Sequence, residues 1–203
     1  MGDKKEKIWE ADWMEHEYGT QHMRLNDAIQ FAVEKHAGQC RKGTCRPYIM
    51  HPLETMNILN SMRADMELLM AGVLHDVLED TDTNRAELEL RFGADVASLV
   101  DLHTEDKSRS WKERKQSAVA HAKAAPTRVK MLILADKVSN LRSIYLDYQE
   151  IGDGIWERFH APKEKQKWYY GEMLAALSDL QKKGGAVNAC WNMMAQLYQE
   201  LFG

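Results

Sequence analysis

The chain is poor in the residues that punctuate structure. Its 203 residues include four prolines, twelve glycines and three cysteines. Scarce proline and glycine argue against a turn-rich β architecture and for long helices. Cys40, Cys45 and Cys190 form an odd set without framework spacing. That excludes a disulfide scaffold and reads as free thiols in a reducing cytoplasm. Cys40 and Cys45 also lack the second pair that a structural zinc site would need. No apolar run approaches the ~18 residues of a membrane span. The start, MGDKKEKIWEADWM, has no apolar leader core, and Glu6 stands where a myristoylation signal needs Ser or Thr. A cytoplasmic protein without a membrane anchor is expected. Positive charge is not in excess: 27 Lys and Arg face 31 Asp and Glu, a net charge of −4. This argues against a general nucleic-acid binder.

What is present is an ordinary globular balance, 44% hydrophobic and 29% charged. No internal repeat, low-complexity tract or linker interrupts it. One domain over 1–203 is expected, with the charged stretch 1–20, carrying Trp9, Trp13 and Tyr18, as an N-terminal extension. Apolar residues at helical spacing predict a helix over 25–36, ended by Gly38. Pro52 fits the first position of a second helix, with His51 at its N-cap. Asn84 with Glu87, and Ser110 with Glu113, have capping-box spacing for helices near 85–92 and 111–124. Between these, 94–103 reads as another helix. Pro126 opens a long helix, 155–180 reads as one helix with a break at Pro162, and a last helix follows the Gly184-Gly185 turn. The fold class is therefore all-α.

The stretch that asks for an explanation is AGVLHDVLEDTD, 71–82. His75, Asp76, Glu79 and Asp80 lie among Leu68, Leu69, Val73, Leu74, Val77 and Leu78. On one continuous helix His75 and Glu79 stack one turn apart, as do Asp76 and Asp80. Burying three carboxylates and an imidazole together is costly unless something offsets it, and a divalent cation does so. The N/O mixture of an adjacent His-Asp suits Mn²⁺, Fe²⁺ or Zn²⁺. A half-exposed helix with polar i,i+4 pairs would give the same spacing. Asp136, set between Leu134-Ala135 and Val138, and Asn140 one turn later raise the same question, which a salt bridge to Lys or Arg would also answer. The loop QCRKGTCRPYIM carries Arg41, Lys42 and Arg46 near Gly43. Those cations suit a phosphate-bearing ligand, or merely a solvated basic loop.

The order His51, His75-Asp76, Asp136 resembles the H…HD…D pattern of the HD metal-dependent phosphohydrolase superfamily. QCRKGTCRPYIMHPLETMNIL, GVLHDVLEDTD, RFGADVASLV and LADKVSNLRS, in that order, resemble more closely the hydrolase domain of RelA/SpoT alarmone enzymes and their small stand-alone relatives. The likeness spans roughly 25–170. It implies an HD-type helical bundle with a metal site between helices. His51, His75, Asp76 and Asp136 would be the metal ligands, with Mn²⁺ as the expected ion. Glu79 and Asp80 would be the catalytic pair that orients the attacking water and handles its proton. Arg41, Lys42 and Asn140 would contact substrate, and Lys165 and Tyr169 match a further contact pair less closely. Ser139 stands where many members have His. With no synthetase region after residue 203, the resemblance is to a stand-alone hydrolase. The implied activity is removal of the 3′-diphosphate from guanosine 3′,5′-bis(diphosphate), a small-molecule nucleotide. The alternatives are an HD phosphohydrolase for another nucleotide, such as an NADPH 2′-phosphatase, and a catalytically silent nucleotide-binding module.

Overall fold

A computed structural model of the protein describes residues 17–105 and 107–203. Of the expected N-terminal extension, 1–16 lies outside the described residues, and 17–20 open the first helix. The helices are α1 Glu17–Lys35, α2 Met50–Ser61, α3 Met66–Leu74, α4 Val77–Asp80 and α5 Arg85–Phe92. They continue as α6 Ala94–His103, α7 Trp111–Ala124, α8 Thr127–Ile151, α9 Lys163–Ala176 and α10 Gly185–Phe202. Among the described residues there is no strand, only an isolated antiparallel bridge between Cys40 and Pro47. The all-α expectation holds.

Local chemistry sets several of the helix starts. The Asp65 carboxylate accepts from the Leu68 amide at 2.9 Å and opens α3. Ser110 and Glu113 make a complete capping box at α7. Asn84 accepts from the Glu87 amide at 3.0 Å, the forward half of the box expected there. Gly38, at φ +76°, follows α1 in the left-handed region that favours glycine.

Two helices form the centre. Leu68 to Leu74 of α3 are buried without exception, so this helix has no solvent face and sits inside the bundle. The 25-residue α8 buries Leu132, Leu134, Ala135, Val138 and Leu141 and packs on α2, α3, α6 and α10. Between α9 and α10, Tyr170 and Phe202 stack with ring centroids 6.2 Å apart, and Trp156 leans on Phe202 at 5.2 Å.

Several boundaries differ from expectation: α1 starts at Glu17, ahead of the expected 25, and three others differ as well. Helix α2 begins at Met50 after Ile49, so His51 lies inside its first turn rather than at the N-cap. Pro52 is tolerated one turn in because an amide there has no intrahelical partner to lose. The 155–180 segment divides into a 3₁₀ segment Gly152–Arg158, then α9, then a second 3₁₀ segment Ser178–Lys183. Gly152 at φ +58° closes α8, and Pro162 caps α9. Finally, 71–82 is not one helix. Helix α3 ends at Leu74, His75 and Asp76 form a turn, and α4 starts afresh at Val77.

Gly72 sets how closely α2 and α3 approach. A Cβ there would lie 2.5 Å from Leu59 Cδ1 and 3.2 Å from Met56 Cα. Leu59 can turn aside, but the α2 backbone can not. Alanine in a helix interior ordinarily adds up to about 1 kcal/mol over glycine. At this position overpacking should reverse the sign. Gly72→Ala is expected to lower stability by ~1–3 kcal/mol, read from the urea midpoint at unchanged m-value. A raised midpoint would show that the helices separate freely.

Candidate metal centre and active site

The turn at 75–76 brings four acceptors to one point. His75 Nδ1 lies 2.8 Å from the Gly72 carbonyl, so it carries the proton and leaves Nε2 with a bare lone pair. On α2, His51 Nδ1 lies 2.8 Å from Ser139 Oγ. That hydroxyl donates to Glu54 Oε2 at 2.8 Å, so it accepts from His51, whose Nε2 is again unprotonated. The two Nε2 atoms face each other at 3.1 Å. Asp76 Oδ2 stands 3.0 Å from His75 Nε2 and 3.5 Å from His51 Nε2. From α8, Asp136 Oδ1 stands 3.2 Å from His51 Nε2 and 3.8 Å from His75 Nε2.

Two lone pairs and two carboxylates thus converge in a buried place with no donor between them. A cation fits such a set. Ligands at right angles on bonds of about 2.1 Å stand about 3.0 Å apart, close to the shortest separations here. The group is therefore able to hold a divalent metal ion. Without one, a proton takes its part. Burial works against a charged His75, but the Asp76 carboxylate beside it prevails and pushes the imidazole up to about 9. Burial likewise works against the two aspartates. The charge of His75 nevertheless holds Asp76 well below the usual carboxylate range. For Asp136 the Lys137 ammonium, 2.5 Å from Oδ2, does the same, with His103 and His51 assisting.

Outer partners fix these ligands. Tyr48 Oη donates to Asp76 Oδ2 at 2.6 Å and reaches Asp80 Oδ2 at 3.1 Å. Asn140 Nδ2 donates to Asp136 Oδ1 at 2.5 Å, and its own Oδ1 accepts from Arg41 at 2.9 Å. The centre lies in the wall of a cleft of about 480 Å³, lined also by Glu79, Asp80, Lys115, Lys137, Asn140 and Tyr169. Burial, then the charge of Asp76, raises the Glu79 carboxyl above its ordinary range, and the Glu105 amide approaches its Oε2 at 3.3 Å. Lys107 holds Asp80 at 2.5 Å.

The structure thus gathers His51, His75, Asp76, Asp136, Glu79, Asp80 and Asn140 around one point, with Arg41 joined through Asn140. Tyr169 lines the cleft, its hydroxyl buried without a partner, under Lys115 and Lys137 at 4.9 and 5.8 Å from the ring centre. Lys42 lies outside the cleft lining, over the Phe159 ring. Lys165 is exposed on α9 and does not line the cleft either. Sequence reasoning passed over Tyr48, His103, Lys107, Lys115 and Lys137. Tyr48 and Lys137 sit inside the quoted motifs; His103, Lys107 and Lys115 carried no signal of their own.

The HD domain model matches residues 28–161, about two thirds of the chain. The chain belongs to the HD domain family. A human relative, guanosine-3′,5′-bis(diphosphate) 3′-pyrophosphohydrolase MESH1, is 42% identical over 131 residues, covering 62% of this chain and 72% of the relative. The Vibrio cholerae protein of the same enzyme name is 35% identical over 126 residues, 59% of this chain but 18% of that longer protein. A solved structure of a metazoan orthologue of SpoT, described as hydrolysing ppGpp, superposes with a TM-score of 0.70 at 28% identity. It covers 87% of this chain and 94% of its own. The match runs from within α1 through α8 and takes in His51, His75, Asp76 and Asp136, and α9 and α10 follow it.

Two outcomes check this HD centre. His75 is protonated at neutral pH in the metal-free protein, because its folded pKa is raised to about 9. A metal ion must displace that proton, so affinity should fall about tenfold per unit as pH drops below 9, with about one proton released on binding. Calorimetry in buffers of different ionisation enthalpy measures this. Ser139→Ala should weaken metal binding by about 10–100-fold, the scale for a partner that orients a ligand. Unchanged affinity would mean that Ser139 does not set the His51 tautomer.

Proposed function

We propose that this protein is a divalent-metal-dependent pyrophosphohydrolase that removes the 3′-diphosphate from guanosine 3′,5′-bis(diphosphate). The observation that carries the reading is that His51, Asp76, Asp136 and the Glu79/Asp80 pair line one cleft with cations around it, His75 lying buried against Asp76. The names of the human and Vibrio relatives supply the substrate. His51, His75, Asp76 and Asp136 are the ligands, and Mn²⁺ suits their mixed nitrogen and oxygen set. Bound there, the ion supplies Lewis acidity and charge neutralisation to the phosphoryl group under attack.

The remaining work falls to side chains. Glu79, raised by burial and by Asp76, is suited to take the proton of the attacking water. Asp80, held by Tyr48 and Lys107, fixes the direction of approach. Arg41 and Asn140 reach phosphate and ribose from the loop side, while Lys115, Lys137 and Tyr169 face the nucleotide across the cleft. Lys42 and Lys165 join them only through movement of the loop and of the long α9 side chain. We read the chain as one catalytic domain acting on a small molecule. With Cys40, Cys45 and Cys190 free and no described helix long and apolar enough to cross a membrane, we place it in the cytoplasm.

The test is a Mn²⁺-loaded activity panel with product identification. Release of pyrophosphate from guanosine 3′,5′-bis(diphosphate) is expected, with guanosine 5′-diphosphate left behind. Orthophosphate release from a dinucleotide 2′-phosphate alone would instead assign a different substrate to the same centre. Glu79→Gln should keep metal and lose at least ~10²-fold in kcat. Arg41→Ala should raise KM roughly ten- to a hundredfold, the effect of losing a charged hydrogen bond, at unchanged metal content. Wild-type rates in Glu79→Gln and Asp80→Asn would remove both residues from the chemistry.

A further inference from the structure

His103 is the last residue of α6 and has no part in the H…HD…D pattern. Its side chain is only 8% exposed. The ring meets the His75 ring edge-on, with centroids 5.2 Å apart and planes at 76°. Its Nε2 lies 3.3 Å from Asp136 Oδ2. Its Nδ1 is buried and has no hydrogen-bond partner. A donor atom of His103, one of His75 and one of Asp76 all lie within 4.8 Å of one another. Leaving a buried polar atom unsatisfied is costly, so an imidazole placed in this way calls for a partner. Its Nε2, against Asp136, sets the ring at the edge of the place where His75, Asp76 and Asp136 converge.

We propose that His103 is a fifth protein ligand of the metal centre, so that the cation is held by three imidazoles and two carboxylates. The proposal rests on the metal-centre reading above and deepens it. A third nitrogen ligand moves the site's preference away from Mn²⁺ and toward Fe²⁺ and Co²⁺, which favour imidazole more strongly. With five protein donors, a six-coordinate ion keeps one position for water or phosphate.

The test uses the full chain, first as wild type. Pulsed EPR on the Mn²⁺-loaded protein, labelled with [¹⁵N]histidine, counts the coupled imidazoles. Three are expected; two would overturn the proposal. The second arm compares wild type, His103→Ala and His103→Leu for Mn²⁺ and Co²⁺ affinity and for the visible spectrum of bound Co²⁺. Both variants should bind at least tenfold more weakly, with the larger loss for Co²⁺ and a shifted Co²⁺ band. Affinity within twofold of wild type, or weaker binding with a superimposable Co²⁺ spectrum, would place His103 outside the coordination sphere. Wild-type protein that takes up neither ion would instead bring down the metal-centre reading itself, which His75→Ala tests separately.

Discussion

Four acceptors face one another in the interior of this protein: two imidazole nitrogens and two carboxylate oxygens. Two imidazole lone pairs and two carboxylate oxygens within 3.0 to 3.8 Å would repel one another strongly in a place sheltered from water. Much of the surrounding structure follows from that constraint. The Gly72 carbonyl and the Glu54–Ser139 pair hold the two Nδ1 protons on the outer side of the rings. Tyr48 and Asn140 donate to the same two carboxylate oxygens that converge, and Lys137 to the other oxygen of Asp136. Each aligns a ligand, and together they leave one type of occupant suitable, a positive charge.

The helix is interrupted at His75-Asp76, between Leu74 and Val77, and the adjacent pair meets there, Asp76 Oδ2 lying 3.0 Å from His75 Nε2. Beyond the turn, Glu79 and Asp80 border the cleft, whereas Leu68 to Leu74 of α3 are buried.

The fold class and most helix limits were legible because they rest on local signals, and the residues that converge were legible through the family resemblance. Gly38, Ser110, Asn84 and Pro126 mark ends by their own backbone chemistry, and the H…HD…D order is carried by residue identity. The break at 75–76 was not legible. Leu68, Leu69, Val73, Leu74, Val77 and Leu78 keep helical spacing across it, and periodicity does not register a turn that preserves the buried side. The division of 155–180 was only half legible. Pro162 announced a break, while the 3₁₀ segments depend on contacts such as Trp156 Nε1 with Asp153 at 3.0 Å. His103, Lys107 and Lys115 were out of reach for a different reason. They come near the centre through α6, α7 and the loop between them, and sequence distance says nothing of that packing.

The chain of contacts from Arg41 through Asn140 to Asp136 has a consequence for how a ligand is met. A free arginine side chain carries about 2 kcal/mol of rotamer entropy, which a newcomer normally has to suppress on arrival. Here the guanidinium is already moored at 2.9 Å, on a loop anchored by the Cys40–Pro47 bridge and by Tyr48. Its loss of freedom belongs to folding and not to the encounter. The same amide that steadies the cation also steadies the carboxylate of Asp136. A phosphate that draws Arg41 toward itself would therefore tug, through one asparagine 99 residues further along the chain, on the electrostatic balance of Asp136. Arg41 and the charge of Asp136 are thereby joined through one side chain.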